Sequence, residues 1–376
     1  MMEKLRIGVL GAGMIATHPG GVLPNLDSIV DRIEIVAVAE RTRRRGEEVA
    51  ARFGIGEVRD SLSQMLTHDD LDVVVNLTPG AAHGETNLEI LNAGKHLITE
   101  KPLASTMNEA DEIIRVANDR GLIVVASPPW LLDPRRVAAR DAIRGGAIGQ
   151  VAFARSRSSH AGPAAMSWPA DPSWFYAKGA GALLDMGVYG ITEVTGMLGP
   201  AQRVMAMSGI TRVTRVVQGG PYNGRTIDVT ADDNTLLMLD FGNATFATVD
   251  ATFNVVAASS PSLEVFGAQG TLNLYDPFWA NRGQPDIEIF HAEQADWETL
   301  DVSALRDAQD RFDRLGRGIL VTHFVECFDS GVQPVLSAEH ARHTLEIMLG
   351  AQVSAQSGSA VRLNSTFSLA GSALDA

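Results

Sequence analysis

The sequence predicts an α/β fold, with an N-terminal doubly wound parallel sheet and a C-terminal α+β domain that contains a large, mainly antiparallel open sheet. Two observations predict this class. Short apolar runs alternate with helical segments over residues 5–126, and longer segments of alternating apolar and polar residues begin after Gly199-Pro200. Ser127-Pro128-Pro129-Trp130 interrupts the first pattern. We therefore predict two domains, residues 1–127 and 128–376.

Length and composition support this division and exclude some partners. A chain of 376 residues is longer than one hydrophobic core usually spans. The formal net charge of −14 argues against nucleic acid or an anionic membrane as a partner. Cys327 is the single cysteine and cannot form an internal disulfide, and no apolar run approaches the roughly 18 residues of a membrane span. We predict a cytoplasmic protein and assign no metal site.

A glycine-rich turn follows the first apolar run. Leu5–Leu10 is a predicted strand, and Gly11-Ala12-Gly13-Met14-Ile15-Ala16 has the G-x-G-x-x-A pattern that opens a helix. The first glycine permits the tight turn, the second lets a pyrophosphate approach the backbone, and the small final residue allows close helix–strand packing. Free N–H groups at the helix start favour an anion. We predict a Rossmann dinucleotide site that includes Gly11, Gly13, Met14 and Ile15.

The second predicted strand, residues 33–39, ends in an acidic residue. Glu40 lies near the spacing expected for a carboxylate that binds the adenosine ribose hydroxyls, and it would repel a 2′-phosphate. Arg41 and the arginines at 43–45 could compensate that repulsion, or they could form a solvated face paired with Glu47-Glu48. The predicted cofactor is NAD(P), with NAD favoured and NADP or dual use left open.

Polar residues follow the next two predicted strands. Leu71–Val75 leads into Asn76-Leu77-Thr78-Pro79, and Leu97-Ile98 leads into Glu100-Lys101-Pro102. Open parallel sheets bind ligands at the carboxyl ends of their strands. These strand ends therefore predict further cofactor-binding residues beside Glu40 and Arg41, namely Asn76, Thr78, Pro79, His83, Glu100 and Lys101.

Lys101 is the strongest chemical candidate among them. Its ammonium can donate three hydrogen bonds and supply a local positive charge. Pro102 keeps Lys101 out of helical geometry, so the backbone sets the direction of the side chain. The alternative is a solvated lysine at a strand end.

The second domain begins with a predicted helix from Asp133-Pro134 to Gly145-Gly146, and a predicted strand over Val151–Ser158 follows. Arg155 and Arg157 lie on one face of this strand, and His160 follows its end. A loop over residues 167–176 then carries two tryptophans and a tyrosine. These aromatic residues, Trp174 among them, could form a stacking wall for a sugar ring or could pin the loop by packing.

Glycines at 179 and 181 open a further helix that contains Asp185 and Tyr189. These residues are i and i+4, so they share one helical face. The phenol can exchange a proton and the carboxylate can orient a substrate. A tyrosine with a pKa near 10 needs a nearby cation to act at neutral pH, and Lys101 could be that cation. The alternative is a buried tyrosine ring with an aspartate that caps the helix.

The last third of the sequence predicts an antiparallel sheet. Asn234–Phe241 and Ala244–Asn254 form a hairpin pattern around Gly242-Asn243. Two late helices, about 310–328 and 338–356, would cover one face of this sheet. The uncovered face predicts a homo-oligomer, either a homodimer or a homotetramer.

Four motifs together resemble the Gfo/Idh/MocA oxidoreductase family. They are Gly11-x-Gly13-x-x-Ala16, Asn76-x-Thr78-Pro79-x-x-x-His83, Glu100-Lys101-Pro102 and Gly181-x-x-x-Asp185-x-Gly187-x-Tyr189. The resemblance implies that Lys101 sits between nicotinamide and substrate, that its bond to Pro102 is cis, and that Asp185 orients the substrate. Many family members have His in place of Tyr189 and Asp in place of Thr192. In having a tyrosine at position 189, the sequence resembles the glucose–fructose oxidoreductase and dihydrodiol dehydrogenase branch of the family.

These observations predict an NAD(P)-dependent dehydrogenase or reductase that acts on a sugar, a polyol or a related secondary alcohol or aldehyde. Lys101, Asp185 and Tyr189 are the predicted catalytic residues. An NAD-dependent glycosidase that uses transient oxidation and a non-catalytic dinucleotide-binding regulator are the alternatives. The predicted substrate-binding residues are Lys101, Arg157, His160, Trp174, Asp185 and Tyr189.

Overall fold

A computed structural model describes residues 3–68, 70–275 and 285–369. The chain forms two compact units. The first contains the described residues up to Pro129 together with Ala308–Leu345, and the second contains Trp130–Asp307 together with Glu346–Leu369. The predicted boundary at 127 lies two residues from the end of the first of these segments. The prediction did not anticipate that a later segment would pack with the N-terminal one.

The first unit is built on a parallel sheet of six strands in the order β3-β2-β1-β4-β5-β6. This is the strand order of doubly wound dinucleotide-binding folds. The predicted α/β class is confirmed. The strands are β1 (Leu5–Leu10), β2 (Ile33–Ala39), β3 (Glu57–Arg59), β4 (Val73–Asn76), β5 (His96–Thr99) and β6 (Val124–Ala126). The helices between them are α1 (Met14–Thr17), α2 (Arg43–Phe53), α3 (Leu62–Leu66), α4 (His83–Asn92) and α5 (Met107–Arg120).

Local chemistry explains where α1 and α5 begin and end. The helix after the glycine turn has only four residues, because Pro19 follows and His18 adopts extended geometry before it. By contrast, α5 begins with a capping box in which Thr106 and Glu109 each bond the other's backbone. It ends at Gly121, which has a φ of 64°.

The second unit contains a sheet of nine strands in the order β16-β15-β14-β13-β7-β12-β11-β8-β17, and a separate β9–β10 pair. Only the β7–β12 pairing in the larger sheet is parallel, which agrees with the predicted mainly antiparallel sheet. The strands are β7 (Val151–Arg157), β8 (Arg203–Gly209), β9 (Thr214–Val216), β10 (Thr226–Asp228), β11 (Asn234–Gly242), β12 (Thr245–Thr252), β13 (Leu263–Gly267), β14 (Gly270–Leu274), β15 (Ile287–His291), β16 (Asp296–Thr299) and β17 (Val361–Arg362). The helices outside the first segment are α6 (Pro134–Arg144), α7 (Val188–Leu198), α8 (Arg306–Leu315), α9 (Ile319–Ser330) and α10 (Ala338–Ser357).

The late helices are predicted to cover the antiparallel sheet, and this expectation is wrong for α9. Phe324 and Phe328 lie one turn apart on α9, and their ring centroids are 5.6 and 5.5 Å from that of His96 on β5. These contacts hold α9 on the parallel sheet. The later part of α10 does pack on the antiparallel sheet, where Ser354 Oγ accepts a hydrogen bond from the Ala206 N–H of β8 at 2.9 Å.

One face of the nine-stranded sheet carries α7, and the other face is open within the described chain. Ser156 on β7 and Val249 on β12 point toward α7. The alternating residues point the other way and expose large apolar side chains. The exposed apolar residues of this open face are Met205, Met207, Leu236, Met238 and Phe246.

Candidate active site

The glycine-rich turn lies at the carboxyl end of β1. Gly11 has a φ of 96°, and a Cβ there would lie 3.0 Å from the carbonyl oxygen of Leu77, so only glycine fits. A Cβ at Gly13 would meet no atom of the described residues within 4 Å. Met14 and Ile15 follow in the single turn of α1. The turn therefore leaves room at Gly13 for a phosphate to approach the backbone.

Glu40 closes this turn through its carboxylate. Glu40 Oε2 accepts a hydrogen bond from the N–H of Ala12 at 3.0 Å, and Oε1 accepts one from the N–H of Thr42 at 3.0 Å. Arg45 Nη1 lies 3.7 Å from Glu40 Oε1. The side chain is therefore fixed at the end of β2, the position that the spacing predicts for a ribose ligand.

Two of the arginines after Glu40 pair with glutamates of the same helix. Arg43 pairs with Glu47 at 2.8 Å and Arg44 pairs with Glu48 at 3.4 Å, as the solvated-face alternative predicts. Arg41 is exposed. Such exposed pairs contribute little to stability, and they reduce the positive charge that Arg43 and Arg44 could offer a 2′-phosphate.

Asn76 ends β4 with every hydrogen-bonding position of its side chain used. The fully buried amide donates to Thr86 Oγ1 and to Asn87 Oδ1, both at 2.7 Å. Its oxygen accepts from the N–H of Thr78 at 3.1 Å and from the Thr78 hydroxyl at 2.7 Å. Because the amide has two donors and two acceptor positions, Asn76 holds the loop before the exposed Pro79 in place.

His83 joins two loops of the first unit. Its ring is fully buried, with Nδ1 2.6 Å from the carbonyl oxygen of Pro102 and Nε2 2.8 Å from that of Thr78. Both ring nitrogens therefore contact the protein backbone. This arrangement supports positioning of the loops and not direct cofactor contact by the imidazole.

Glu100 is part of a buried network with a residue that the sequence analysis missed. Arg317 Nη1 donates to Glu100 Oε1 at 2.7 Å and to Ser127 Oγ at 2.9 Å, and Ser127 Oγ donates to Glu100 Oε1 at 3.2 Å. The N–H of Lys101 donates to Glu100 Oε2 at 3.2 Å. Arg317 thus fixes the carboxylate that contacts the backbone of Lys101.

Arg317 reaches this network from a tight Gly316-Arg317-Gly318 turn. Its N–H donates to the carbonyl oxygen of Gly20 at 3.0 Å. A Cβ at Gly316, where φ is 46°, would lie 2.6 Å from the same oxygen. The two flanking glycines are the only sequence signal for this contact, which spans 217 residues along the chain.

Lys101 itself is partly buried, and its bond to Pro102 is cis, as the resemblance implies.

Asp185 and Tyr189 lie on an interrupted helix in the second unit. Leu183–Gly187 forms a turn of π-helix that continues directly into α7. Such turns inside α-helices are often found at functional sites. Asp185 and Tyr189 are partly accessible, whereas residues 186–188 and 190–197 are buried. Two of the predicted catalytic residues are thus brought to the accessible part of a buried helix.

Tyr189 packs against Trp130, with 5.0 Å between ring centroids. The guanidinium of Arg136 lies 3.9 Å from the centre of the Trp130 ring, within cation–π range. Arg136 is itself buried and bonds Asp133 at 2.5 Å and Glu193 at 2.8 Å. Burial acts to raise the pKa of Asp133, but the neighbouring arginine charges outweigh it and leave that pKa below its usual value. A buried ionic network thus supports the ring behind Tyr189.

Arg157 does not join Asp185 and Tyr189. Its register on β7 places it on the open face with Phe153 and Arg155, opposite the face that carries α7. Arg157 Nη2 donates to the carbonyl oxygen of Ser260 at 3.1 Å. The register therefore does not bring Arg157 toward the helix of Asp185 and Tyr189, and its role in substrate binding stays a prediction.

The aromatic loop combines the two predicted roles. Tyr176 is fully buried, its hydroxyl accepts from the N–H of Ala164 at 3.0 Å, and burial raises its pKa. Trp174 is 56% exposed and stacks on the buried Phe175 at 3.7 Å. His160 accepts from the N–H of Gly162 at 2.7 Å. Tyr176 therefore pins the loop, while Trp174 offers a surface for stacking.

Two features are absent from the described residues. None of the helices within residues 3–68, 70–275 and 285–369 is long and apolar enough to cross a membrane. Over the same ranges, no three His, Cys, Asp or Glu side chains form a group that could hold a metal ion.

The six-stranded parallel sheet, the glycine turn and the acid at the end of β2 define a dinucleotide-binding protein of the Rossmann class. Residues 5–127 match the model of an oxidoreductase family with an NAD-binding Rossmann fold, and residues 137–273 match the GFO/IDH/MocA C-terminal domain. The chain belongs to the GFO/IDH/MocA family, and the predicted resemblance is confirmed. The protein is an NAD(P)-dependent oxidoreductase that acts on CH–OH groups.

Individual relatives are distant but span nearly the whole chain. A dTDP-3,4-didehydro-2,6-dideoxy-alpha-D-glucose 3-reductase from Actinomadura kijaniata is 29% identical over 92% of this chain and 91% of its own length. A levoglucosan dehydrogenase from Pseudarthrobacter phenanthrenivorans is 26% identical over 89% and 84%. A solved structure of levoglucosan dehydrogenase with NADH has a TM-score of 0.81 at 21% identity, and the match covers 96% of this chain and all of that one.

Proposed function

We propose that this oxidoreductase transfers a hydride between the nicotinamide of NAD and a carbon of a sugar or polyol that alternates between alcohol and carbonyl. The partly accessible Asp185–Tyr189 pair on a mostly buried helix is the observation that carries this proposal. Relatives named as a dTDP-sugar reductase and a levoglucosan dehydrogenase support the substrate class.

Each proposed catalytic residue has a separate task. Tyr189 exchanges the proton of the reacting hydroxyl, and Asp185 accepts a hydrogen bond from the substrate and orients it. Lys101 stabilises the negative charge that develops on the reacting oxygen. NAD supplies the hydride chemistry when it is bound, while these side chains supply position and field.

The proposed cofactor contacts lie along the strand ends of the first unit. The open backbone at Gly13 suits a pyrophosphate, and the fixed carboxylate of Glu40 suits the adenosine ribose. We assign the remaining contacts to the loops that Asn76, His83 and Arg317 hold. The proposed cofactor-binding positions are Gly11, Gly13, Met14, Ile15, Glu40, Arg41, Thr78, Pro79, Glu100 and Lys101.

His160 and Trp174 complete the proposed substrate contacts. Trp174 is exposed and rigidly stacked on Phe175, which suits it to the apolar face of a sugar ring. The ring of His160 stacks on that of Phe253 at 5.3 Å, so its orientation is set before a substrate binds. Trp174→Ala should therefore raise KM more than it lowers kcat.

A substrate screen tests the proposed function. Purified protein is mixed with aldoses, polyols or cyclitols and with NAD or NADP, and absorbance is followed at the NADH band, with Lys101→Met as the blank. We expect NADH formation with at least one member of these classes. Release of a leaving group from a nitrophenyl glycoside without net NADH would instead identify the glycosidase. Cofactor binding with neither reaction across the screen would favour the regulator.

The open face of the nine-stranded sheet supports a homodimer or homotetramer. Its exposed apolar residues form cross-strand rows, such as Met207 beside Leu236 and Met205 beside Met238. Light scattering at micromolar concentration should give a multiple of 40.1 kDa. Leu236→Glu should yield monomers, whereas Val256→Glu, on an 88% exposed loop residue of the same unit, should not. A monomeric wild-type protein would contradict this proposal.

We propose a cytoplasmic location for this enzyme. Cys327 is buried and unpaired, and burial raises the pKa of its thiol to about 11, so it stays protonated and unreactive near neutral pH. A protein with its single cysteine in this state needs no oxidising compartment. Fractionation of the source cells with an antibody to the protein tests this location.

A further inference from the structure

Ser158 is inserted into the helix that carries the proposed catalytic pair. This fully buried residue follows β7, and its hydroxyl donates to the carbonyl oxygen of Met186. The same oxygen of Ser158 accepts a hydrogen bond from the N–H of Gly190 at 3.1 Å. In a regular α-helix the N–H of residue 190 would bond the carbonyl of residue 186 directly. The hydroxyl therefore bridges a donor and an acceptor of one helical turn.

The bridged turn, residues 186–190, contains one proposed catalytic residue and directly follows another. Tyr189 lies between the two bridged backbone groups, and Asp185 immediately precedes Met186 in the π-turn. A side chain inserted into the helical hydrogen-bond ladder changes the local helix geometry. The Ser158 hydroxyl thus contacts both ends of the backbone turn that contains Tyr189 and directly follows Asp185.

The strand in turn fixes Ser158. Its N–H is shared between Asp250 Oδ1 at 2.9 Å and the Asp250 carbonyl oxygen at 3.1 Å. The helix approaches closely at this point, since a Cβ on Gly190 would lie 2.7 Å from Val249 Cγ1 and 2.9 Å from Ser158 Cβ. Strand and helix therefore leave the hydroxyl little freedom to move.

We propose that Ser158 is the positioning residue of this site, which sets the orientation of Asp185 and Tyr189 by completing the helical turn between residues 186 and 190. The catalytic part of this inference rests on the proposed function, whereas the orientation of Tyr189 does not. A serine that only satisfies its own hydroxyl would leave the tyrosine environment unchanged when the oxygen is removed.

Ser159 provides a matched control. It is also buried, and its hydroxyl donates to the Asp250 carbonyl oxygen at 3.0 Å and accepts from the N–H of Thr252 at 3.1 Å. These partners lie on β12 and not on the helix. Ser158→Ala and Ser159→Ala therefore each remove one buried, doubly bonded hydroxyl, and only the first removes a contact to the proposed catalytic helix.

Tyrosine NMR tests the inference without a substrate. The chain has four tyrosines, so ¹³C labels at the ring Cζ give four signals, which Tyr→Phe variants assign. We expect Ser158→Ala to shift or broaden the Tyr189 signal and to leave that of the exposed Tyr222 in place. Ser159→Ala should leave the Tyr189 signal at its wild-type position. Equal Tyr189 signals in wild type and Ser158→Ala, with circular dichroism showing a folded protein, would overturn the proposal.

Kinetics then separate positioning from the proposed function. With a substrate from the screen, Ser158→Ala should lower kcat by ~10- to 100-fold with KM little changed, because small misplacements of catalytic groups have effects of this size. Ser158→Cys, which keeps a weak donor and acceptor, should recover part of that loss. A Tyr189 signal that moves in Ser158→Ala while Tyr189→Phe keeps wild-type turnover would support the positioning and contradict the catalytic role of Tyr189.

Discussion

The polar residues that follow the strands of the first unit differ in burial from the polar residues on the helix of the second unit. Asn76 at the end of β4 and His83 at the start of α4 have buried side chains that are occupied by contacts within the unit. On the helix, Asp185 and Tyr189 stay partly accessible although nearly all of their neighbours are buried. From this difference we infer that Asn76 and His83 hold their loops in shape, and we propose that Asp185 and Tyr189 act on the ligand.

This contrast changes how the motifs are interpreted. Residue types that suit cofactor binding made Asn76 and His83 candidates, yet the Asn76 amide uses all of its hydrogen-bonding positions and both ring nitrogens of His83 face backbone carbonyl oxygens. The loops that contain these two residues carry the backbone groups and neighbouring side chains that can contact a cofactor. In the second unit the motif residues themselves stay partly accessible. Ser158 contacts their helix, Trp130 packs on Tyr189 and Arg136 lies over the Trp130 ring, and no motif contains these three residues.

The largest expected effect is that of replacing Lys101. This residue follows β5, and its positive charge is proposed to act in the reaction. Lys101→Met should lower turnover by ~10²- to 10⁴-fold, because a positioned electrostatic or proton-transfer group usually contributes this much. NAD binding by calorimetry should stay within a few-fold of wild type. Lys95→Met is the control, because Lys95 precedes the opposite end of β5. Near-normal turnover of Lys101→Met would remove this residue from the mechanism.

The next prediction concerns the accessible helix. Tyr189→Phe keeps the ring that packs on Trp130 and deletes only the hydroxyl. Turnover should fall by ~10²-fold, within the usual range for an acid–base group, while the melting temperature changes little. Tyr222→Phe, an exposed tyrosine of the same unit, should keep wild-type turnover. An active Tyr189→Phe enzyme would show that another group exchanges the proton.

The fold could be predicted from local patterns wherever those patterns were complete. The strands β1 and β2, the turn at Gly11 and the hairpin around Gly242-Asn243 all follow from runs and turn residues close together in sequence. The position of α9 could not, because an amphipathic helix indicates only that it is covered and not which sheet covers it. The aromatic contacts of Phe324 and Phe328 with His96 decide that, and they join distant segments.

The third prediction tests a strand-end contact that spans 217 residues. Arg317→Met leaves the buried carboxylate of Glu100 without its cation and should lower the free energy of unfolding by roughly 3 kcal/mol, the low end for loss of one partner of a buried pair. Urea unfolding measures this change. Arg311→Met breaks an exposed pair with Glu326 and should cost less than about 1 kcal/mol. Adding Glu100→Gln to Arg317→Met should restore part of the stability, because a neutral amide is less costly to bury.

The candidate site, like the fold, could be predicted only where its residues lie close together in sequence. Lys101, Asp185 and Tyr189 became candidates because each lies within a short motif. Ser158 and Arg317 did not, because a single serine or arginine has no periodicity and its importance arises only from partners far away in sequence. The prediction for Arg157 meets a related limit: alternation on a strand predicts that Arg155 and Arg157 share a face, but not which face receives the helix.

The smallest expected effect concerns Glu40, a strand-end residue that both holds a loop in place and lies where a ligand is predicted to bind. Its carboxylate accepts hydrogen bonds from the Ala12 and Thr42 N–H groups and lies at the predicted ribose position. A 2′-phosphate would meet this charge, and Arg43 and Arg44 are engaged with their own glutamates. Wild type should therefore bind NAD more tightly than NADP by roughly 10-fold, about 1.4 kcal/mol.

Glu40→Ser separates the two roles of this carboxylate. Loss of the bond to Ala12 should weaken both cofactors, because the glycine turn is held less firmly, while loss of the charge should move the NAD-to-NADP ratio toward NADP. Glu48→Ser, which frees Arg44 and leaves the turn intact, is the control and should change the absolute affinities less. Calorimetric titration of both cofactors into the three proteins measures each quantity. Tighter binding of NADP by wild type would mean that the arginines outweigh Glu40, so the strand-end acid would hold the turn without setting cofactor choice.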